Sequence, residues 1–179
     1  FVHAEALKDV GQLKDKDLTI FVRIGSDYDL NYYEYEMPLY VTPASSYNND
    51  LESDRAIVWP ENNFVEIDFD RLKNLKIKRN TNNVATSEKY KEYSSEFDDY
   101  ITVKGNPNLA NVKTIMIGVR NPSAQAGYKD ADDRYAKCAE IWVNELRFAD
   151  FNENGGWASL GRVTTKLADL GDITIAGNY

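Results

Sequence analysis

The sequence predicts a mainly β protein: an antiparallel two-sheet β-sandwich of the jelly-roll or galactose-binding-like type, with one short helix and a C-terminal β-hairpin. Three observations predict it. About eight short segments alternate apolar and polar residues at a period of two. Loops rich in Gly, Asn, Asp and Pro separate these segments, and the 12 Tyr among 179 residues favour strands. Helices do not alternate with strands along the chain, which argues against a parallel sheet.

Three segments at the start of the chain have strand patterns. Residues 1–6 form a first predicted strand. Residues 17–25 form a clearer one, because every second residue from Leu18 onward is apolar. Residues 31–41 form the longest alternating run. Pro38 has no N–H to donate, so we expect this third strand to be an edge or to be bulged at that position.

One short helix follows the third strand. Residues 42–54 have the composition of a loop. Beyond them the apolar period changes, because lysines separate Leu72, Leu75 and Ile77. This spacing is typical of one or two helical turns. Asp70 is the predicted N-cap of the helix.

Two further strands, joined by a turn at residues 105–108, lie between two long polar loops. Residues 97–103 and 112–120 are the predicted strands, and residues 80–95 and 121–134 are the predicted loops. Apolar residues occupy both parities of residues 112–120. We therefore expect that strand to be buried on both faces.

Residues 141–148 form the predicted closing strand of the sandwich. Ile141 and Val143 share one parity, while Trp142 and Leu146 share the other. Large apolar residues at both parities indicate either that both faces of this strand are covered or that a bulge near Asn144-Glu145 resets the phase. We favour covered faces, because Trp142 joins the second set.

The last part of the chain has a different β pattern. A polar, Gly-containing joint leads to residues 157–167, which alternate, and residues 169–172 then predict a reversal into a return strand. The small residues and the strand length of about ten resemble a hairpin of a transmembrane β-barrel, and an ordinary hairpin of a sandwich fits equally well. We therefore predict two domains: residues 1–150 as the sandwich, and residues 151–179 as the joint plus hairpin, with the start of a membrane barrel as one interpretation.

Composition limits the classes of function. The net charge of -8 argues against nucleic acid as a partner, because phosphate binding needs clustered Lys and Arg. A single cysteine, Cys138, excludes an internal disulfide and a Cys-based zinc site. No apolar run approaches the roughly 20 residues of a membrane helix. The chain starts at Phe1 and ends on a strand-like run, so we expect it to be a piece of a longer protein.

Catalytic motifs are missing from the sequence. His3 is the single histidine, so no metal pair of histidines and no ordinary Ser/His/Asp triad can form. The chain contains no GxSxG, GxGxxG or phosphate-loop sequence. We therefore expect a protein that is not an enzyme and that needs no cofactor.

A calcium loop is one candidate site. Asp130, Asp132 and Asp133 place three carboxylates on a predicted loop, and Ca²⁺ prefers such oxygen ligands. An EF-hand starting at Asp130 is excluded, because Tyr135 stands where Gly is needed and Ile141 where the bidentate Glu is needed. A loop site of the jelly-roll type and a solvated acidic loop both stay open.

A sugar-stacking platform is the second candidate site. Its rings would be Tyr28, Tyr32, Tyr40 and Tyr47. Strand tyrosines also serve to cover a sheet face, so the pattern leaves both interpretations open. A platform requires two or three exposed, coplanar rings. This candidate favours a carbohydrate-binding module of a cell-surface protein as an alternative function, with a glycan as its ligand.

Several segments resemble one protein family. They are VRIGSDYDLNYYEYEMPL at residues 22–39, VWPENN at 58–63, IWVNELRFADFNENGGWA at 141–158 and KLADLGDITIAGNY at 166–179. Together they are similar to the SprA/Sov family, the very large outer-membrane proteins of Bacteroidetes that form the translocon of the type IX secretion system and are linked to gliding motility.

The resemblance implies a non-enzymatic domain of a secretion translocon. The parent protein would lie in the outer membrane, and this domain would face the periplasm or the cell surface. Its partners would be other secretion-system components and the exported cargo proteins. No residue of the family with a known role maps onto a short motif here, so the resemblance assigns no site residues.

Overall fold

A computed structural model describes residues 1–7, 13–122, 135–147, 149, 160–166 and 172–178. The chain divides into two compact units, Phe1–Glu145 and Leu146–Tyr179. None of the helices within the described ranges is both long and apolar enough to cross a membrane.

The described part of the first unit contains strands, two α-helices and two 3-10 turns. They are β1 (Val2–Ala6), β2 (Thr19–Gly25), β3 (Tyr32–Pro38), α1 (Glu52–Val58), the turn Glu61–Asn63, α2 (Phe69–Thr81), β4 (Tyr90–Ser94), β5 (Asp99–Lys104), the turn Leu109–Asn111, β6 (Thr114–Arg120) and β7 (Ala139–Val143).

Five of these strands form one antiparallel sheet in the order β4-β5-β3-β2-β6. Strand β3 is the central strand, and all seven of its residues are buried. Its ladder with β5 covers only Tyr32–Glu36, so Pro38 lies beyond the residues that β5 pairs. Strand β3 is therefore not an edge strand as a whole, but at Pro38 it pairs with β2 alone among the described residues, so no ladder bond to β5 needs the missing N–H.

Strands β1 and β7 form a second, two-stranded antiparallel sheet. Its inward residues and the apolar stripe of α2 pack on one face of the five-stranded sheet, where they form the core. The buried members are Val2, Ala4, Leu18, Ile20, Tyr33, Tyr35, Met37, Leu39, Leu72, Leu75, Ile101 and Val103. The predicted mainly β fold with two antiparallel sheets is confirmed.

The helices differ from the prediction in number and length. Helix α2 has 13 residues, and its N-cap is Asp68, whose carboxylate accepts the Asp70 N–H at 2.7 Å. Leu72 and Leu75 are buried on one side of α2, whereas Ile77, two positions beyond Leu75, faces away and is exposed. Helix α1 begins within residues 42–54, the segment predicted to be a loop, and continues to Val58. It buries none of its residues, so no apolar stripe reveals it.

Strands β6 and β7 are more exposed than their sequences predict. Among the described residues β6 pairs with β2 alone, and its Ile115, Ile117 and Val119 are 38–41% exposed. In β7, Trp142 is 58% exposed. Apolar residues at both parities therefore do not indicate two covered faces in this fold. Strand β4 also lies within residues 80–95, the stretch predicted to be a polar loop. Its residues are mostly half-buried at a sheet edge, so its sequence is polar and does not show the alternation of a strand.

The described part of the second unit is a β-hairpin. Strands β8 (Leu160–Lys166) and β9 (Asp172–Asn178) pair antiparallel, with Lys166 opposite Asp172. The predicted C-terminal hairpin is confirmed, with seven residues in each strand.

Candidate interaction cleft

A cleft of about 550 Å³ opens at one end of the five-stranded sheet. Four segments surround it: the end of β3 with Tyr40, residues 61–68, the first turn of α2 at Arg71, and the turn between β4 and β5 at residues 96–99. All of these segments belong to the first unit. We call this site the acidic cleft, because carboxylates predominate in its lining.

A buried amide holds one wall of the acidic cleft in place. Asn63 is 0% exposed. Its Oδ1 accepts the Tyr40 N–H at 2.8 Å, and its Nδ2 donates to the Tyr40 carbonyl at 2.8 Å. The side chain therefore satisfies the backbone of Tyr40 just beyond β3, as a neighbouring strand would. This pairing fixes the segment that carries Glu61 and Phe64 beside the sheet.

A buried ion pair forms the opposite wall. Arg71 donates from Nη1 and Nη2 to the two carboxylate oxygens of Asp99 at 2.7 and 2.6 Å. The Asp99 side chain is 1% exposed and that of Arg71 is 22% exposed. The guanidinium also lies 4.4 Å from the centroid of the Phe97 ring. The Asp99 hydrogen bond raises the pKa of Arg71 above its ordinary value.

Tyr35 contributes a phenol to the floor of the acidic cleft. Burial raises its pKa above the ordinary value, and the negative charge of Asp99 raises it further. The residue itself is 6% exposed, and its hydroxyl lies 3.6 Å from the Met37 sulfur. The floor is therefore a neutral, largely apolar surface beneath charged walls.

The lining is strongly unbalanced in charge. Among the described residues that line the cleft, six are acidic (Glu61, Glu66, Asp68, Glu96, Asp98 and Asp99), and Arg71 is the one cation. Lys16, just outside, binds Asp98 at 2.7 Å, and this hydrogen bond raises the pKa of Lys16. The excess of acidic over basic side chains in the lining favours a positively charged ligand over a negatively charged one.

Aromatic rings stand beside the carboxylates. Phe64 is 44% exposed on one wall and Phe97 is 55% exposed on the other. The Phe64 ring contacts the Phe1 ring in a tilted arrangement, with 4.8 Å between the ring centroids. Tyr40 lies 5.6 Å from the ammonium of Lys16. Exposed rings on two walls of a concave surface are typical of a binding site rather than of a sheet covering.

A second charge network lies on the outer face of the same sheet. Glu34 and Glu36 of β3 are 5% and 1% exposed. Arg23 binds Glu34 at 2.6 Å, Arg120 binds both carboxylates, and Lys91 lies 3.6 Å from Glu36. Burial lowers the pKa of Lys91. The three cations match both acids across adjacent strands, so the network stabilises the sheet and leaves neither Glu34 nor Glu36 unmatched for a ligand.

The motif at residues 22–39 includes a loop held by its own hydrogen bonds. The Asp27 carboxylate accepts the N–H groups of Asp29 and Asn31 at 3.0 Å, and also the Asn31 side-chain amide at 2.9 Å. The hydrogen bond from the Asn31 side-chain amide contributes most to lowering the pKa of Asp27, ahead of the hydrogen bonds from backbone N–H groups. Asn31 in turn accepts the Asn106 N–H at 2.9 Å. These polar residues therefore build the turn between β2 and β3.

The predicted sugar platform is not assembled as one surface. Tyr32 is 1% exposed, and the Arg23 guanidinium covers its ring at 4.0 Å. Tyr28 precedes β3 and Tyr40 follows it, so seven strand residues separate the two rings along the sheet. The Tyr47 hydroxyl donates to the Pro43 carbonyl. Of the four, Tyr40 lines the acidic cleft.

The remaining candidates are the predicted calcium loop and the single histidine, His3. Asp130, Asp132 and Asp133 lie outside the described residues, so the calcium loop stays a prediction. In the part of the chain that the structure describes, no group of three or more His, Cys, Asp or Glu is arranged to hold a metal ion. The His3 ring, 8% exposed, hydrogen-bonds the Val58 carbonyl at 2.9 Å and Thr42 Oγ1 at 3.0 Å, which ties β1 to the end of α1.

The acidic cleft itself was not predicted from the sequence. Arg71 and Asp99 are 28 positions apart, and Tyr40 and Asn63 are 23 apart. A local signal exists at Phe97, which stands between Glu96 and Asp98, but not at Phe64, which is followed by the apolar Val65 and Ile67. Only the fold brings the two segments to opposite walls of one cleft.

Comparison with known proteins agrees with the resemblance found in the motifs. No curated protein matches the chain. A protein family described as "Motility related/secretion protein" matches all of residues 1–179. Because the match spans the whole chain, the protein belongs to this SprA_N family of motility-related secretion proteins.

Proposed function

We propose that this chain is a non-enzymatic structural and interaction domain of an outer-membrane translocon that exports proteins by type IX secretion and serves gliding motility. The observation that carries the proposal is the family match over residues 1–179. Within the cell envelope, the partners of such a domain are other components of the secretion machinery and the exported cargo.

The geometry of the first unit supports an interaction role. The core of the two sheets and α2 is a rigid support, since Leu72, Leu75 and Val103 are each no more than 1% exposed. The acidic cleft lies on this support with two exposed rings and a charge imbalance. A fixed scaffold that carries a charged, aromatic cleft is suited to binding a partner.

An in-frame deletion tests the proposal. In a gliding bacterium that carries the parent protein, the segment matching residues 1–179 would be replaced by a short Gly/Ser linker. We expect cargo with a C-terminal sorting domain to accumulate inside the cell and spreading on agar to stop. An immunoblot of outer-membrane fractions would show that the shortened parent protein is still present. Normal export by cells that contain the shortened protein would refute the proposal.

A further inference from the structure

We propose that the acidic cleft binds an extended, cationic segment of a partner polypeptide, whose Lys or Arg side chains insert between the aromatic rings and the carboxylates. The inference deepens the proposed function and rests on it, because it names the chemistry of the partner that the domain contacts. It is carried by three features of the cleft: its carboxylates without counter-charges, the way it already holds one arginine, and its size.

Besides Asp68, which caps α2, three carboxylates of the cleft lack a counter-charge. Glu61, Glu66 and Glu96 are exposed and form no ion pair with a described residue, whereas Asp98 and Asp99 are paired with Lys16 and Arg71. Carboxylates that share a concave surface raise the local concentration of cations. A cationic side chain that enters the cleft therefore meets an attractive field that the protein's own cations do not cancel.

The cleft already shows how it holds a guanidinium. Arg71 packs 4.4 Å from the Phe97 centroid while both of its terminal nitrogens bind Asp99. Phe97 is 55% exposed and Phe64 is 44% exposed, so both rings keep surface available to a ligand. Glu96 is next to Phe97 in the chain, and Glu66 is two residues from Phe64. A second cation thus finds the same combination of ring face and carboxylate.

Size and shape favour a polypeptide. The volume of about 550 Å³ falls within the roughly 300–1,000 Å³ of ligand pockets. Long Lys and Arg side chains bury their methylene groups on apolar surface and keep their charged ends near acids, which matches rings on two walls with carboxylates between them. A neutral sugar would leave the charge of Glu61, Glu66 and Glu96 unmatched.

Peptide binding to the 179-residue chain tests the inference. The probe is a fluorescein-labelled peptide, Gly-Ser-Arg-Gly-Arg-Ser-Gly, and its neutral partner carries citrulline at both Arg positions. Fluorescence anisotropy measures the Kd of each. We expect the Arg peptide to bind at least about tenfold more tightly than the citrulline peptide. Raising NaCl from about 50 to about 300 mM should weaken it, because salt screens surface charges.

Variants show whether the cleft is the site. Glu66→Gln/Glu96→Gln removes two cleft charges, and Glu52→Gln/Glu88→Gln removes two charges from exposed positions elsewhere. One exposed ion pair changes affinity a few-fold, so the loss of two should raise the Kd of the cleft double variant about tenfold. The control double variant should raise Kd less than about twofold. Phe97→Ala should raise Kd about threefold through loss of the cation–ring contact.

Four results would overturn the inference: no binding of the Arg peptide, equal affinity for the citrulline peptide, equal effects of the two double variants, or full competition by a neutral disaccharide. The last result would instead assign the cleft to a sugar. If the Arg peptide fails to bind but the deletion still blocks export, the inference fails and the proposed function stands. If the peptide binds at the cleft and export survives the deletion, the proposed function fails.

Discussion

The buried Asp99 carboxylate is expected to contribute more to stability than any exposed ion pair of the chain. In Asp99→Asn one oxygen remains as an acceptor, so Arg71 keeps one hydrogen bond, to a neutral acceptor, and loses the second bond and the opposite charge of the carboxylate. A hydrogen bond to a charged group contributes about 1.5–3 kcal/mol. Removing one partner of a buried ion pair costs about 3–5 kcal/mol, because the remaining charge lacks its counterpart. Arg71 is 22% exposed and regains some water, which lowers the expected cost to about 2–3 kcal/mol.

Urea unfolding followed by far-UV circular dichroism measures this cost. At an m-value of roughly 2 kcal/mol/M, the midpoint for Asp99→Asn should fall by about 1–1.5 M. Asp70→Asn is the matched control, because Asp70 forms an exposed ion pair with Lys73 on the first turn of α2. That control should lose less than about 1 kcal/mol.

A double-mutant cycle identifies the interaction responsible. Arg71→Met and Asp99→Asn should together cost less than the sum of their separate effects, with a coupling of about 2 kcal/mol. The reasoning is wrong if Asp99→Asn costs no more than Asp70→Asn. It is also wrong if the cycle shows no coupling between Arg71 and Asp99.

Three further predictions follow from the backbone and from the shifted pKa values. Gly105 has a φ of +70°, and a Cβ there would overlap the Leu30 carbonyl, so Gly105→Ala should lower the free energy of unfolding in urea by more than about 2 kcal/mol. Gly118→Ala is the control and should cost less, because the added Cβ meets the Phe21 ring, which can move. The opposite ranking would contradict this reasoning. The pKa of Asp27 is lowered in the folded state, so its stabilising effect is present above its ordinary pKa of about 3.9 and is lost as pH falls below it. Asp27→Asn should therefore flatten the acid side of the stability–pH curve, and an unchanged acid slope would argue against this role. The pKa of Tyr35 is raised in the folded state, so stability should fall as pH rises above about 10, where Tyr35 ionises first in the unfolded state. In thermal unfolding at alkaline pH, Tyr35→Phe should reduce that fall. An equal fall in the variant would rule Tyr35 out as its source.

Elements with strong local periodicity were predicted well from the sequence. Strands β2 and β3 lie where the alternation predicts them. Ile20, Tyr33 and Tyr35 enter the core, while Glu34 and Glu36 pair with cations on the other face of the sheet. The change of period near Leu72 likewise marks α2, although its cap is Asp68 rather than Asp70. Such patterns are visible because they separate the two faces of an element, although the polar face of β3 is itself buried under ion pairs.

Strand β6 shows where this reasoning fails. Its sequence is apolar at both parities, yet Ile115, Ile117 and Val119 are 38–41% exposed because β6 lies outermost beside β2. Whether a strand is central or outermost depends on which distant strands pair with it. No pattern within its own seven residues contains that information.

The sequence by itself determined the β class of the chain, its acidic charge and the family motifs. Only the tertiary structure decided the order of the strands and the composition of the acidic cleft. The physical reason is that alternation and charge are local properties of the chain. The pairing of Arg71 with Asp99 and of Tyr40 with Asn63 instead joins segments 28 and 23 residues apart, which meet only when β3, β5 and α2 pack around one core.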